Sequence, residues 1–241
     1  MLSKNQTILL SVLFFIFIGV GATIGPDMLG YFWRGDVNAQ IGKYQFDIPE
    51  DETIARASSP IFRRVTGLGG KDQSVVFLIS ATEVSYQVPG YKTSEQGREL
   101  DVKGVIRVWD KLRIEQYQKP EHYRELWYGQ GHYKNRVIEA QGNSDLYRVF
   151  RDEKKRSAWV VLSQMPKAES QQPDVMEEYW VARCSKQGGA GPFSQSFVMC
   201  NSYFFVDDIV VEFYLAEDNL SYVADIRNII RDKISVWKKT V

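Results

Sequence analysis

Histidine is almost missing from this 241-residue sequence: His122 and His132 are the only two. No His-Glu-x-x-His pair exists, and no Gly-x-Ser-x-Gly elbow, so metalloprotease and hydrolase motifs are absent. A Ser-His-Asp triad would have to draw its base from these two residues. Cysteine is as scarce, with Cys184 and Cys200 alone. Two cysteines and two distant histidines lack zinc-finger spacing, so no metal and no cofactor is expected. No charge of one sign dominates, since 30 basic residues face 30 acidic ones. That balance excludes the basic excess of a nucleic-acid binder. Proline is also sparse, at 8 residues, and no long disordered tail is expected. The Gly67-Leu68-Gly69-Gly70-Lys71 cluster fails the phosphate-loop pattern, because Val65 stands at the first Gly position and Asp72 follows the lysine.

What the chain does have is an uncharged run from Ile8 to Ile24. With Thr7 and Gly25 it makes 19 residues without charge, about enough for a helix to cross a bilayer core of roughly 30 Å. Lys4 precedes the run and Asp27 follows it, so the positive-inside bias leaves the N-terminus in the cytoplasm and exports residues 27–241. Tyr31, Phe32 and Trp33 stand where an interfacial aromatic belt belongs. A cleaved signal peptide ending at Val20-Gly21-Ala22 is the competing reading, and it too exports the domain. Within the run, Gly21 and Gly25 stand four apart, the spacing at which small residues let membrane helices pack closely.

Export suits the cysteines. A disulfide between Cys184 and Cys200 would stabilise by about 3 kcal/mol and persist in an oxidising compartment. The other reading is two buried free thiols.

The rest reads as an α+β domain. Tyr44, Phe46 and Ile48 alternate with polar residues between Ile41 and Ile48, which predicts a strand ended by Pro49. Ser74 to Ser80 is nearly all apolar and predicts a strand buried on both faces. Val102 to Tyr117 predicts one long bent strand or a hairpin. Pro120 to Trp127 predicts a short helix. Two strand-like runs flank the charged turn Asp152–Arg156. Three more strands follow, at 179–184, 196–206 and 209–215. A closing helix capped by Asp218 or Asn219 carries Leu220, Val223, Ile226, Ile230, Ile234 and Trp237 as one stripe. An antiparallel sheet covered by that helix is the economical arrangement. The organisation expected is a cytoplasmic tip and anchor over 1–26, a juxtamembrane linker over 27–40 and the exported domain over 41–241. A subdomain break is expected near 135–145.

The densest aromatic stretch holds His122, Tyr123, Trp127, Tyr128, His132 and Tyr133. Rings with polar edges suit a partner surface, since Trp and Tyr are enriched in binding hot spots. Packing of the same rings on the core is the alternative.

Phe46-Asp47-Ile48-Pro49, the two cysteines and the run from Ile209 to Trp237 give a layout that resembles bacterial single-span periplasmic proteins. Some of these are immunity proteins of type VI secretion. The resemblance implies a membrane-anchored domain that binds and blocks a secreted toxin, without catalytic residues of its own. An accessory subunit of a cell-envelope secretion or transfer complex, docking through its membrane helix, is the alternative. Either way the expected place is the bacterial inner membrane, with the C-terminal domain in the periplasm. The expected partners are another protein and the lipid bilayer, with no nucleic acid.

Overall fold

The computed structural model describes residues 37–53, 74–119, 121–142, 144–188 and 197–239. The apolar run Ile8–Ile24, with Gly21 and Gly25, lies outside the described residues, and so does the interfacial trio. Among the described residues no helix is long and apolar enough to cross a membrane.

The domain is α+β and antiparallel. A hairpin of β1 (Val37–Ile41) and β2 (Tyr44–Ile48) opens it, turning at Gly42 with φ +58°. The expected single strand is thus the second arm of a hairpin, because Gly42 supplies the left-handed turn that most residues avoid. Phe46 and Ile48 are buried as the alternation requires.

β3 (Ser74–Ile79) leads into α1 (Ala81–Gln87), whose cap is Ser80: its hydroxyl accepts the Glu83 N–H at 3.2 Å. A small hairpin of β4 (Ser94–Glu95) and β5 (Arg98–Glu99) precedes β6 (Val102–Val108). The expected long strand through Tyr117 ends there. Asp110 caps α2 (Lys111–Gln118), accepting from the Arg113 N–H at 2.9 Å. Its carboxylate satisfies a helix-end donor and so converts an apparent alternation into a helix. α3 (Glu121–Tyr128) then follows as predicted.

The chain continues through β7 (Val137–Ala140), β8 (Tyr147–Phe150), β9 (Ala158–Leu162), β10 (Trp180–Gln187), β11 (Phe197–Val206) and β12 (Ile209–Ala216). It closes with α4 (Val223–Trp237) and β13 (Lys238–Lys239). Among the described residues eight strands form the main sheet in the order β3-β6-β12-β11-β10-β9-β8-β7. β3 is an edge strand among the described residues, buried on one face and half-covered on the other, where burial on both had been expected. β13 pairs with β2, completing a small sheet of order β1-β2-β13. Cys184 and Cys200 stand directly opposite in β10 and β11 and are joined by a disulfide.

One face of the main sheet builds the large core. Phe77, Ile106, Phe204, Val211 and Phe213 meet α4, whose Ile226, Ile230, Ile234 and Trp237 are buried as the stripe predicts. The expected cap of α4 differs. Tyr222 precedes the helix without a side-chain capping bond. Asn219 sits buried, clamping Lys92: its Oδ1 accepts the Lys92 N–H and its Nδ2 donates to the Lys92 carbonyl.

Candidate functional site

The opposite face of the sheet is only partly covered. α3 and the segment before β10 seal one end of it with a second core of Leu126, Trp127, Met176, Tyr179 and Trp180 among others. The remainder is an open concavity of about 1290 Å³, floored by β6, β12, β11, β10 and β9 and flanked by α2 and α3.

A β-bulge sets its inner end. Trp180 pairs with Leu162 but Ala182 with Val161, so Val181 is an extra residue. Both Val181 and Ala182 join the large core, whereas Trp180 turns to the other side. Bulges re-aim side chains in this way. Arg227 of α4 holds the bulge from below, its guanidinium donating to the carbonyls of Trp180 and Val181 at 3.5 and 3.4 Å and to Ser202 Oγ at 3.0 Å. Burial pushes the Arg227 guanidinium down to about 10. The buried cation is tolerated there because backbone and hydroxyl acceptors replace part of its hydration and the charge of Glu177 favours it.

From Trp180 an aromatic shelf runs outward. The Trp180 and Tyr203 rings lie 4.4 Å apart, Tyr203 and Phe205 5.8 Å, and Trp109 and Tyr117 4.8 Å. Tyr123 and Tyr203 share a hydrogen bond of 2.8 Å. Burial pushes the Tyr123 hydroxyl up to about 12 and raises that of Tyr203 further, so both stay protonated at neutral pH. These hydroxyls fasten α3 to the sheet.

The floor is polar. Glu212 accepts from Arg107 at 2.6 Å, from Tyr214 at 3.1 Å and from Asn201 Nδ2. Burial alone would raise its pKa, but the bonds from Arg107, Asn201 and Tyr214 outweigh it and hold the carboxyl below the usual range. Two strands from Glu212, Arg183 stands in the middle of β10 opposite Asn201 and Val160, its side chain exposed and with no hydrogen bond or ion pair among the described residues. Arg151 Nε donates to the His132 carbonyl at 3.4 Å. Arg113 lies over the Trp109 ring at 4.0 Å.

The sequence-predicted aromatic stretch divides. Tyr123, His132 and Tyr133 line the concavity. The His132 N–H donates to Glu125 at 3.1 Å, and its side chain is exposed. Tyr133 is half-buried, and burial raises its hydroxyl pKa against the opposing pull of Arg183 and Arg151. Trp127 is interior at 2% exposure, its ring 5.3 Å from that of Tyr179 and its Nε1 donating to the Ser170 carbonyl. Tyr128 is half-buried and accepts the Gln172 N–H. The His122 side chain lies outside the described residues. Sequence reasoning missed Arg183, Arg151, Arg113, Trp109, Trp180, Tyr203 and Glu212. The legible signal was the non-core face of the cysteine-bearing strands, where Arg183, Ser185, Asn201 and Tyr203 alternate with buried neighbours. Among the described residues no group of three or more His, Cys, Asp or Glu is placed to hold a metal.

No protein-family model matches the chain, and no curated protein sequence matches it. One solved structure is similar: Smlt3025, an immunity protein of the Stenotrophomonas maltophilia type IV secretion system. It shares 11% identity over 86% of this chain and 94% of that one, at a TM-score of 0.45. A likeness at that score carries no argument about what this chain does.

Proposed function

We propose that this chain is a membrane-tethered periplasmic interaction domain of the bacterial inner membrane, which acts as an immunity protein by seating a segment of a secreted toxin. The observation that carries the reading is the concavity. At about 1290 Å³ it exceeds the roughly 300–1,000 Å³ of small-molecule pockets and is open along one side. Its walls offer fixed rings and hydrogen-bonding edges, the materials of a protein-binding hot spot. The disulfide suits an oxidising compartment, and the uncharged run Ile8–Ile24 supplies the tether.

Gly21 and Gly25 favour a second reading, an accessory subunit of an envelope complex docked through its membrane helix. One experiment separates the two. Full-length protein is purified in mild detergent from native membranes, beside a version lacking residues 1–26, a Ser185→Trp variant and a Gly21→Leu variant. Ser185 is half-exposed on the concavity floor, so a large neutral ring there fills the space without altering charge. An immunity protein keeps a one-to-one soluble partner without residues 1–26 and loses it with Ser185→Trp. Membrane subunits lost with Gly21→Leu and indifferent to Ser185→Trp would favour the accessory subunit.

A further inference from the structure

We infer that the segment seated in the concavity is acidic, with a carboxylate received by Arg183 and flanking ones by Arg151 and Arg113. This rests on the interaction reading above and specifies the partner's chemistry.

Cation supply exceeds demand in the site. Its lining holds five cationic side chains, Arg107, Arg113, Arg151, Lys155 and Arg183, against three acidic ones, Glu121, Glu125 and Glu212. The pairing is also uneven. Glu212 is committed to Arg107, Asn201 and Tyr214, and Lys155 has Asp152 at 3.5 Å. That leaves Arg183, Arg151 and Arg113 with no carboxylate in contact among the described residues. An opposite charge on a neighbouring strand stabilises a mid-strand cation, as Glu212 does Arg107. Arg183 finds Asn201 and Val160 in register and looks into the open space instead.

Guanidinium geometry sharpens the reading. Its planar fork matches a carboxylate with two parallel bonds. The Arg113 guanidinium lies over the Trp109 ring, and no carboxylate among the described residues takes its donors. Between the arginines, Trp109 and Tyr203 give apolar contact to whatever separates the acidic residues.

A nucleic-acid strand would answer the same arginines, but the observations favour protein. The whole chain is formally neutral, so it lacks the broad basic field that draws a phosphate backbone. Trp180, the innermost ring, is 2% exposed and has no face left for a base to stack on.

The test uses full-length protein in detergent and three fluorescent probes: a peptide alternating aspartate with tyrosine, its asparagine counterpart, and an oligothymidylate. At low ionic strength the aspartate peptide should bind about tenfold more tightly than the asparagine peptide. Added salt should erode the difference. Arg183→Gln should remove most of it, and Arg183→Lys should restore part. Near-ultraviolet circular dichroism checks that each variant keeps its packing, and Arg151→Gln provides a second, independent loss. Equal binding of the two peptides would overturn the inference while leaving the interaction reading intact. Failure of both peptides to bind would overturn it too, and partner retention by Ser185→Trp would still decide the underlying reading. An oligothymidylate that outcompetes the aspartate peptide would replace the acidic segment with a nucleic acid.

Discussion

Glu212 stands on a central strand with its carboxylate turned into the concavity, where Arg107, Asn201 and Tyr214 all donate to it. Its folded-state pKa therefore lies below the ordinary 4.5. A depressed carboxylate contributes stability that is complete above the unfolded value and is lost as pH falls through the folded one. The melting midpoint of the wild type should thus drop more steeply than that of Glu212→Gln between about pH 5 and pH 3. Parallel slopes would show that the three donors do not hold the charge. Gly104 makes a different demand. It faces Phe77 and Phe213 on the neighbouring strands, and a β-carbon there would fall on the Phe77 ring and 2.8 Å from the Glu212 carbonyl oxygen. Gly104→Ala should cost about 1–3 kcal/mol by urea denaturation, as overpacked cores do. An unchanged midpoint would mean that the ring swings aside freely. Neither residue announced its role in the sequence. Glu212 reads as one polar position in an apolar strand, and its donors come from residues 107, 201 and 214.

Elements were legible wherever local pattern and tertiary surroundings agreed. The alternation in β2, the hairpin of β8 and β9, the three cysteine-region strands and the apolar stripe of α4 all formed as expected. Disagreement arose where one side chain outweighed the pattern. Leu112 and Ile114 continue the alternation of β6, yet the Asp110 cap turns them into a helix that buries Ile114 and leaves Leu112 65% exposed. Asn219 offers itself as a helix cap, yet it is taken by Lys92, 127 positions away. The candidate site failed for the same reason at larger range. A local aromatic cluster could be seen, and three of its members do line the concavity. Arginines delivered by a strand, a turn and a helix could not be seen as neighbours until those elements were placed around one concavity. The disulfide offers the test at this scale. Replacing Cys184 and Cys200 with serine should lower stability by about 3 kcal/mol through the unfolded chain. The hydrogen-bonded register of β10 and β11 should still form, so far-ultraviolet circular dichroism should hardly change. Loss of the sheet signal would show that the cross-link sets the register.

For the whole molecule, the charge-free run at the N-terminus and the folded domain behind it give a plain expectation. The protein should stay in the membrane pellet through alkaline carbonate washing, and a version lacking residues 1–26 should appear in the supernatant. Release of the full-length chain by carbonate would remove the tether. The little sheet of β1, β2 and β13 adds a constraint of timing. Phe46 and Gln45, on the second strand to be made, pair with Lys238 and Lys239 near the far end of the chain. Trp237 beside them packs against Phe77 of β3 and donates from its indole to Glu52, at 2.6 Å. β1 and β2 pair at once, but the other edge of β2 gains its partner β13 only after β3 to β12 have been made. A ribosome or translocation channel delivering this chain N-terminus first therefore hands over an unfinished domain until the last turns of α4 emerge. Completion of the small sheet is thus tied to the arrival of α4, and Phe46, Ile48 and Phe77 lack the helix side of their core until then.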